Sequence, residues 1–285
     1  MEFHVGCTLE YEVPRPTAFV FLVEAARLER QIVRDERLRV SPEPPPESPW
    51  ERFTAPESGN RLLRVQAAPG KLRLDYEATV ALHPRVEDPA TVREIPVERL
   101  PLSALVHLNP SRYCESDRLN AFAQRGFGRL APGYARVGAV CDWICGNVDY
   151  VLGSTDEATS AADILVERRG VCRDFAHLGI ALVRALGVPA RYVAAYAWRL
   201  DPADFHAVFE AYLEGPQGGA WYVFDPTRKS AADGIIRIGV GRDAGDASFC
   251  SPFGQVGFKP PRVWIRGPEA GDAPVTVQAV STSTE

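Results

Sequence analysis

Apolar and polar residues alternate from the start of the chain. Phe3, Val5, Cys7, Leu9, Tyr11 and Val13 are separated by Glu2, His4, Gly6, Thr8, Glu10 and Glu12. A period of two places the apolar set on one side of an extended backbone, which predicts a half-buried strand. "TAFVFLVEA" follows as a more continuously apolar strand. The alternation returns in "KLRLDYEATVAL", through Leu72, Leu74, Tyr76, Ala78, Val80 and Leu82. The preceding "LLRVQAAPG" ends on the turn signal Pro69-Gly70, so these two segments are expected to pair as a hairpin. "SPEPPPESPWERF" is too rich in proline for a central strand or a helix and reads as an exposed loop. The pattern up to about residue 85 predicts an antiparallel β sandwich.

The period then changes. "REIPVERLPLSALVHLNPSRYCESD" is irregular and reads as a linker wrapping over the next unit. Helical spacing begins near Ser116. Val137, Val140, Cys141, Ile144 and Val148 recur at intervals of three and four, an amphipathic helix. Ser160, with Asp163 three positions on, is a start signal for a short helix. A further helix is predicted from Cys172 to about Leu186, with Phe175, Leu178, Leu182 and Leu186 on its buried face. Gly187 suits a left-handed helix terminus, and Pro189 stops continuation. "ARYVAAYAW", "FHAVFEAYL" and "AWYVFDPT" then read as strands, the last two joined by the hairpin link "EGPQGG". Terminal strands are expected at Val263–Ile265 and Val275–Val280. The chain is thus α+β, with a β-rich unit over residues 1–105 and a mixed unit over residues 106–285.

Composition narrows the function classes. The chain has 285 residues, 46% hydrophobic and 24% charged, as in ordinary globular proteins. A net charge of −5 without a basic run argues against non-specific nucleic-acid binding. No apolar stretch approaches the roughly 18 residues of a membrane span. The alternating start does not resemble a secretory leader, so the six cysteines are read as reduced thiols and the location as cytoplasmic. Cys141 and Cys145 lie one helical turn apart, but no further Cys or His completes a zinc set. Asp243 and Asp246 in "GRDAGD" are too few for a calcium cage and read as turn formers. No metal and no cofactor are expected.

The chemistry concentrates at Cys172 in "RRGVCRDF". A helix N-terminus offers unpaired N–H groups and a positive dipole end, which favour thiolate over thiol and can hold an oxyanion. Arg168, Arg169 and Arg173 are expected to add positive potential. A thiol nucleophile wants an imidazole, and that imidazole an orienting acceptor. His177 is five positions along the same helix and projects elsewhere. His4 and His83 belong to the N-terminal strands, and His107 to the irregular segment. His206 opens the strand "HAVFEAYL", and Asp225 ends the adjacent strand "WYVFDPT". If the two strands pair, Asp225 can accept the second ring N–H of His206. Taken singly, a buried thiol, an edge-strand histidine and an Asp-Pro turn are ordinary structural residues. Their ordered helix–strand–strand setting makes them a candidate constellation.

These segments resemble a known family. "ERRGVCRDFAHLGIALVRALGVPARYV" is similar to the nucleophile segment of the transglutaminase-like superfamily. "FHAVFEAYL" and "WYVFDPT" are similar to its histidine and aspartate segments, in the same order. The resemblance is close over about residues 105 to 255. "GCTLEYEVPRPT" resembles the β-rich N-terminal domain of many bacterial members. The resemblance implies a papain-like α+β core, with Cys172 as nucleophile, His206 as base and later acid, and Asp225 as orienting carboxylate. It departs from the bacterial pattern at Val208, where Trp is frequent, and at Arg228, where Asn often follows Asp-Pro-Thr. The motif does not assign a second oxyanion donor, although Trp143 and Tyr192 carry side-chain donors. The implied activity is thiol-dependent acyl transfer on an amide or peptide bond of a peptide or protein substrate. Hydrolysis by a cysteine protease or amidase is the first expectation and protein-glutamine crosslinking the second. A non-catalytic binding module of the same fold is the third, disfavoured because all three residue types are present.

Overall fold

The computed structural model describes residues 1–44, 49–268 and 278–283. The predicted Val275–Val277 and part of the proline-rich loop lie outside the described residues. The N-terminal strands are β1 (Glu2–Val13), β2 (Thr17–Phe21), β3 (Gln31–Ser41), β4 (Glu51–Thr54), β5 (Arg61–Ala67), β6 (Gly70–Leu82) and β7 (Arg85–Glu87). The helices and short strands of the middle are α1 (Leu102–Leu105), α2 (Ser116–Phe127), α3 (Tyr134–Asn147), β8 (Asp149–Tyr150), α4 (Ala161–Glu167), β9 (Arg169–Gly170) and α5 (Cys172–Ala185). There follow β10 (Ala190–Ala197), β11 (Phe205–Gly215), β12 (Gly218–Phe224), β13 (Ile235–Gly241), β14 (Cys250–Pro252), β15 (Gly257–Phe258), β16 (Arg262–Arg266) and β17 (Ala279–Ser283).

Two antiparallel sheets make the N-terminal sandwich. One runs β15-β1-β6-β3, with β16 also on β1; the other runs β14-β2-β5-β4. Tyr11 on the first sheet meets Phe19 and Phe21 on the second at centroid distances of 5.1 and 5.9 Å. The expected β5–β6 hairpin does not form. β5 pairs with β2 and β4, while β6 pairs with β1 and β3. Gly70, at φ 133°, carries the chain from one sheet to the other. The division at residue 105 follows chain order but not strand pairing. β14, β15 and β16 complete the N-terminal sheets, and β7 crosses into the second unit by pairing with β17.

The second unit is a six-stranded antiparallel sheet ordered β13-β10-β11-β12-β17-β7. Helix α5 lies along β11, where an added Cβ on Gly179 would sit 2.6 Å from the Phe209 ring. The absence of a side chain there lets the helix approach closely. Twelve consecutive residues of α5, Asp174 to Ala185, are buried, so it is enclosed on every side rather than on the single face its spacing suggested. Its buried Arg184 is satisfied internally. Arg184 donates to the carbonyls of Ala190, Asn109 and Arg242. Gly187 takes φ 84°, the left-handed terminus expected of it. The irregular segment wraps over the sheet: Ile95, Leu100 and Ala104 pack on Tyr212 and Trp221.

One edge of this sheet is finished by side chains. β13 pairs with β10 on one side only. On its other side, Gln31 donates to Arg237 O (2.9 Å) and accepts from Arg237 N (2.8 Å). Asn60 does the same for Val240, donating to its carbonyl (2.8 Å) and accepting from its N–H (2.9 Å). Two amide groups from the sandwich, helped by the Ala26 N–H on the Arg237 carbonyl (2.8 Å), thus act as the missing neighbouring backbone.

Candidate active site

Cys172 is the first residue of α5 and is partly exposed. The strand pair β8–β9 brings Tyr150 beside Gly170, just upstream of it. The helix start is held by Asp174, whose carboxylate accepts the Val171 N–H (2.9 Å) and the Thr155 hydroxyl (2.6 Å). This is the reach-back half of a capping box; Val171 has no side-chain acceptor to supply the other half. The three arginines expected to add positive potential each have partners of their own. Arg173 is committed to Asp174 at 3.1 Å and to the Asp156 carbonyl. Arg168 lies over the Trp143 ring at 4.6 Å, and Arg169 stands 3.5 Å from Glu167. The helix end supplies positive potential of its own at the thiol.

His206 and Asp225 meet because β11 and β12 form the predicted hairpin, in which Phe209 pairs with Phe224. His206 Nε2 lies 3.0 Å from Asp225 Oδ2, and the two residues are 2% and 5% exposed. Asp225 accepts four more hydrogen bonds. Its Oδ2 takes the Ser230 N–H (3.0 Å) and hydroxyl (2.9 Å). Its Oδ1 takes the Thr227 N–H (2.9 Å) and hydroxyl (2.7 Å). Burial alone would lift the Asp225 carboxyl, but His206 and these donors hold it down at about 2. Burial likewise opposes charge on His206, yet Asp225, and then the Cys172 thiol, push its imidazole up to about 10. The Nδ1 atom is buried without a close hydrogen-bond partner. With Nε2 on Asp225, Nδ1 is left to confront the Cys172 thiol. That contact is loose, as in resting sites that tighten around substrate.

The sequence-predicted Cys172, His206 and Asp225 are therefore brought together. His177 is not part of the group: it is buried, and its Nε2 accepts the Ala244 N–H at 3.1 Å. Tyr150 was missed by sequence reasoning. Its hydroxyl is close enough to Cys172 to feel both the thiol and the Cys172 backbone N–H. The ring is fixed between Phe175 (5.7 Å) and the Lys229 ammonium (4.6 Å). Of the donors considered from sequence, Trp143 packs on Phe122 and Phe127, whereas Tyr192 borders the cleft. Arg228, in place of the frequent Asn, sits at φ 56°, a conformation Asn tolerates better. It is anchored to Asp142 at 2.5 Å. Val208 is fully buried with Val193 and Val223.

Cys172, His206 and Tyr150 open onto a cleft of about 770 Å³, walled by Leu200, Phe205 and Phe249. Among the described residues no cluster of His, Cys, Asp or Glu could hold a metal ion, and no helix is long and apolar enough to cross a membrane. Asp243 does structure a turn, accepting the N–H groups of Tyr113 and Gly245.

Comparison with known proteins agrees with this architecture. Residues 120–226 match the family described as the transglutaminase-like superfamily, and residues 1–103 match the bacterial transglutaminase N-terminal domain. A crystal structure from Cytophaga hutchinsonii, named a "putative cysteine protease", is 40% identical. It superposes with a TM-score of 0.91 over 99% of this chain and 97% of that one. An uncharacterized protein of Mycobacterium leprae is 34% identical over 147 residues, which are 50% of this chain and 52% of that protein. One from Mycobacterium tuberculosis is 35% identical over 108 residues, 34% of each chain. The matched part is thus about half or less of these curated relatives' length. With its fold, both of its family matches and a relative matched over nearly all of both chains in agreement, the chain belongs to the transglutaminase-like superfamily.

Proposed function

We propose that the chain is a thiol-dependent acyl-transfer enzyme that hydrolyses amide or peptide bonds through a Cys172–His206–Asp225 triad. The observation that carries this reading is the buried His206–Asp225 pair, which leaves one imidazole nitrogen facing a thiol at a helix N-terminus. Asp225 favours the protonated imidazole, and an imidazolium beside the sulfur favours thiolate. The Cys172 sulfur attacks the carbonyl carbon, and the C=O electrons move onto oxygen. The oxyanion is held by the Cys172 N–H and the Tyr150 hydroxyl, both at the helix end. His206 gives its Nδ1 proton to the leaving amine as the C–N bond breaks, leaving a thioester. Water then attacks, His206 takes its proton, and collapse expels the thiolate with release of the acid.

A fluorogenic peptide-amide library, with mass spectrometry of the stalled acyl-enzyme, tests the reading. Wild-type protein is expected to cleave amides and carry the acyl group on Cys172. Cys172→Ala is expected to lose turnover and keep its melting temperature. Turnover by Cys172→Ala, or an acyl group on another residue, refutes the mechanism. Adding a primary amine separates water from amine as the acceptor.

A further inference from the structure

Four charged side chains border the cleft besides the reacting groups: Arg173, Lys229, Asp201 and Asp204. Arg173 is tied to Asp174 and to the Asp156 carbonyl, and Lys229 lies on the Tyr150 ring. Asp204 is different. It precedes Phe205 at the entry to β11, two residues before His206, and is exposed to the cleft. Its Oδ1 accepts the Phe205 N–H at 2.7 Å, and no cation among the described residues pairs with it. It lines the same cleft as Cys172, His206 and Tyr150, and its charge reaches both His206 and Tyr150. Next to it, Phe205 stacks on Phe249 at 4.7 Å and 16°, giving the cleft an aromatic wall.

We propose that Asp204 is a specificity-determining residue that selects substrates bearing an ammonium or guanidinium group close to the scissile carbonyl. This rests on the acyl-transfer reading given above. The aromatic pair covers the aliphatic stem of such a side chain, and Asp204 supplies the counter-charge at its end. A cation on the substrate meets an unpaired carboxylate there, whereas an acidic side chain meets repulsion. The charge difference therefore discriminates in both directions.

The test uses the full chain and small probes that need no turnover. Aminoethyl and sulfonatoethyl methanethiosulfonates carry opposite charges on the same two-carbon stem, with the methyl reagent as a small neutral control, and their rates at Cys172 are measured by mass spectrometry, with exposed Cys145 as internal reference. The cation-to-anion rate ratio at Cys172 is expected to fall about three- to tenfold in Asp204→Asn, the range for one charge several ångströms away in a partly solvated cleft. Asp204→Lys should lower it further. The same variants are then given peptide amides differing only by lysine or norleucine beside the scissile bond, and the lysine-to-norleucine ratio of kcat/KM should fall in parallel. A probe ratio unchanged in both variants overturns the proposal. If wild-type protein cleaves no amide while the probe ratio still falls, the acyl-transfer reading fails and the charge selection stands. If amides are cleaved without a lysine preference and the probe ratio is unchanged, the reverse holds.

Discussion

Replacing Asp225 by asparagine changes one atom in a side chain that accepts five hydrogen bonds. Wherever the new NH₂ points, it opposes a donor: the Ser230 N–H on one side or the Thr227 N–H on the other. One buried backbone N–H loses its acceptor, at about 1–3 kcal/mol. The larger effect is on His206. Its pKa is raised from 6.5 to about 10 in the folded chain. That contribution to stability is therefore complete below about pH 6.5 and is lost as pH rises toward 10. It amounts to a few kcal/mol, in line with about 3–5 kcal/mol for breaking one side of a buried ion pair. Asp225 is lowered from 3.8 to about 2. Its own contribution is present above about pH 4 and lost only as pH falls through about 2, so it is constant in the neutral range. Asp225→Asn is thus expected to destabilise strongly at pH 6, with the penalty shrinking by about 2–4 kcal/mol by pH 9.5. Urea unfolding of both proteins at the two pH values measures this, with m-values checked for a common two-state transition. A penalty equal at pH 6 and pH 9.5 would falsify the account of His206 as a buried cation held by Asp225.

Other consequences are open to measurement. Iodoacetamide at neutral pH should modify Cys172 faster than the more exposed Cys145, and leave Cys7, Cys114 and Cys141 untouched in the folded state, as peptide mapping would show; faster labelling of Cys145 counts against an activated thiol. Tyr150→Phe should lower kcat by about 10²-fold or more, the usual loss for an oxyanion donor, with little change in melting temperature; unchanged kcat removes Tyr150 from that role. Gly179→Ala forces a methyl to 2.6 Å from Phe209, and should cost about 1–3 kcal/mol in denaturant unfolding. Asn60→Leu strands both backbone groups of Val240 and should cost about 2–4 kcal/mol, whereas loss of a merely superficial contact would be nearly silent.

Sequence reasoning succeeded where information is local. Cys172 sits at a helix start whose far end is marked by Gly187, and His206 and Asp225 lie on strands joined by a short glycine-rich link. The reading fails where partners are distant. Pro69-Gly70 signals a turn whether the chain stays in one sheet or changes sheets, and only the packing of Tyr11 against Phe19 and Phe21 decides between them. β3, "QIVRDERLRVS", is a charged edge strand with few buried residues, so alternation barely marks it. Tyr150 belongs to a two-residue strand whose meaning comes from parallel pairing with Arg169 and Gly170. The charge of the arginines around Cys172 was countable from the sequence, but their partners were not.

The amides of Gln31 and Asn60 bear on how far this protein is modular. The family matches divide it cleanly, 1–103 and 120–226. Its rungs do not, because the last strand of the reactive sheet ends on hydrogen bonds owned by the other half. A fragment beginning at residue 106 would present β13 as a bare ladder, an invitation to pair with another copy of itself. The sandwich is therefore a stopper on sheet growth, and a graft of the reactive half onto a new scaffold must bring an equivalent of these two side chains with it.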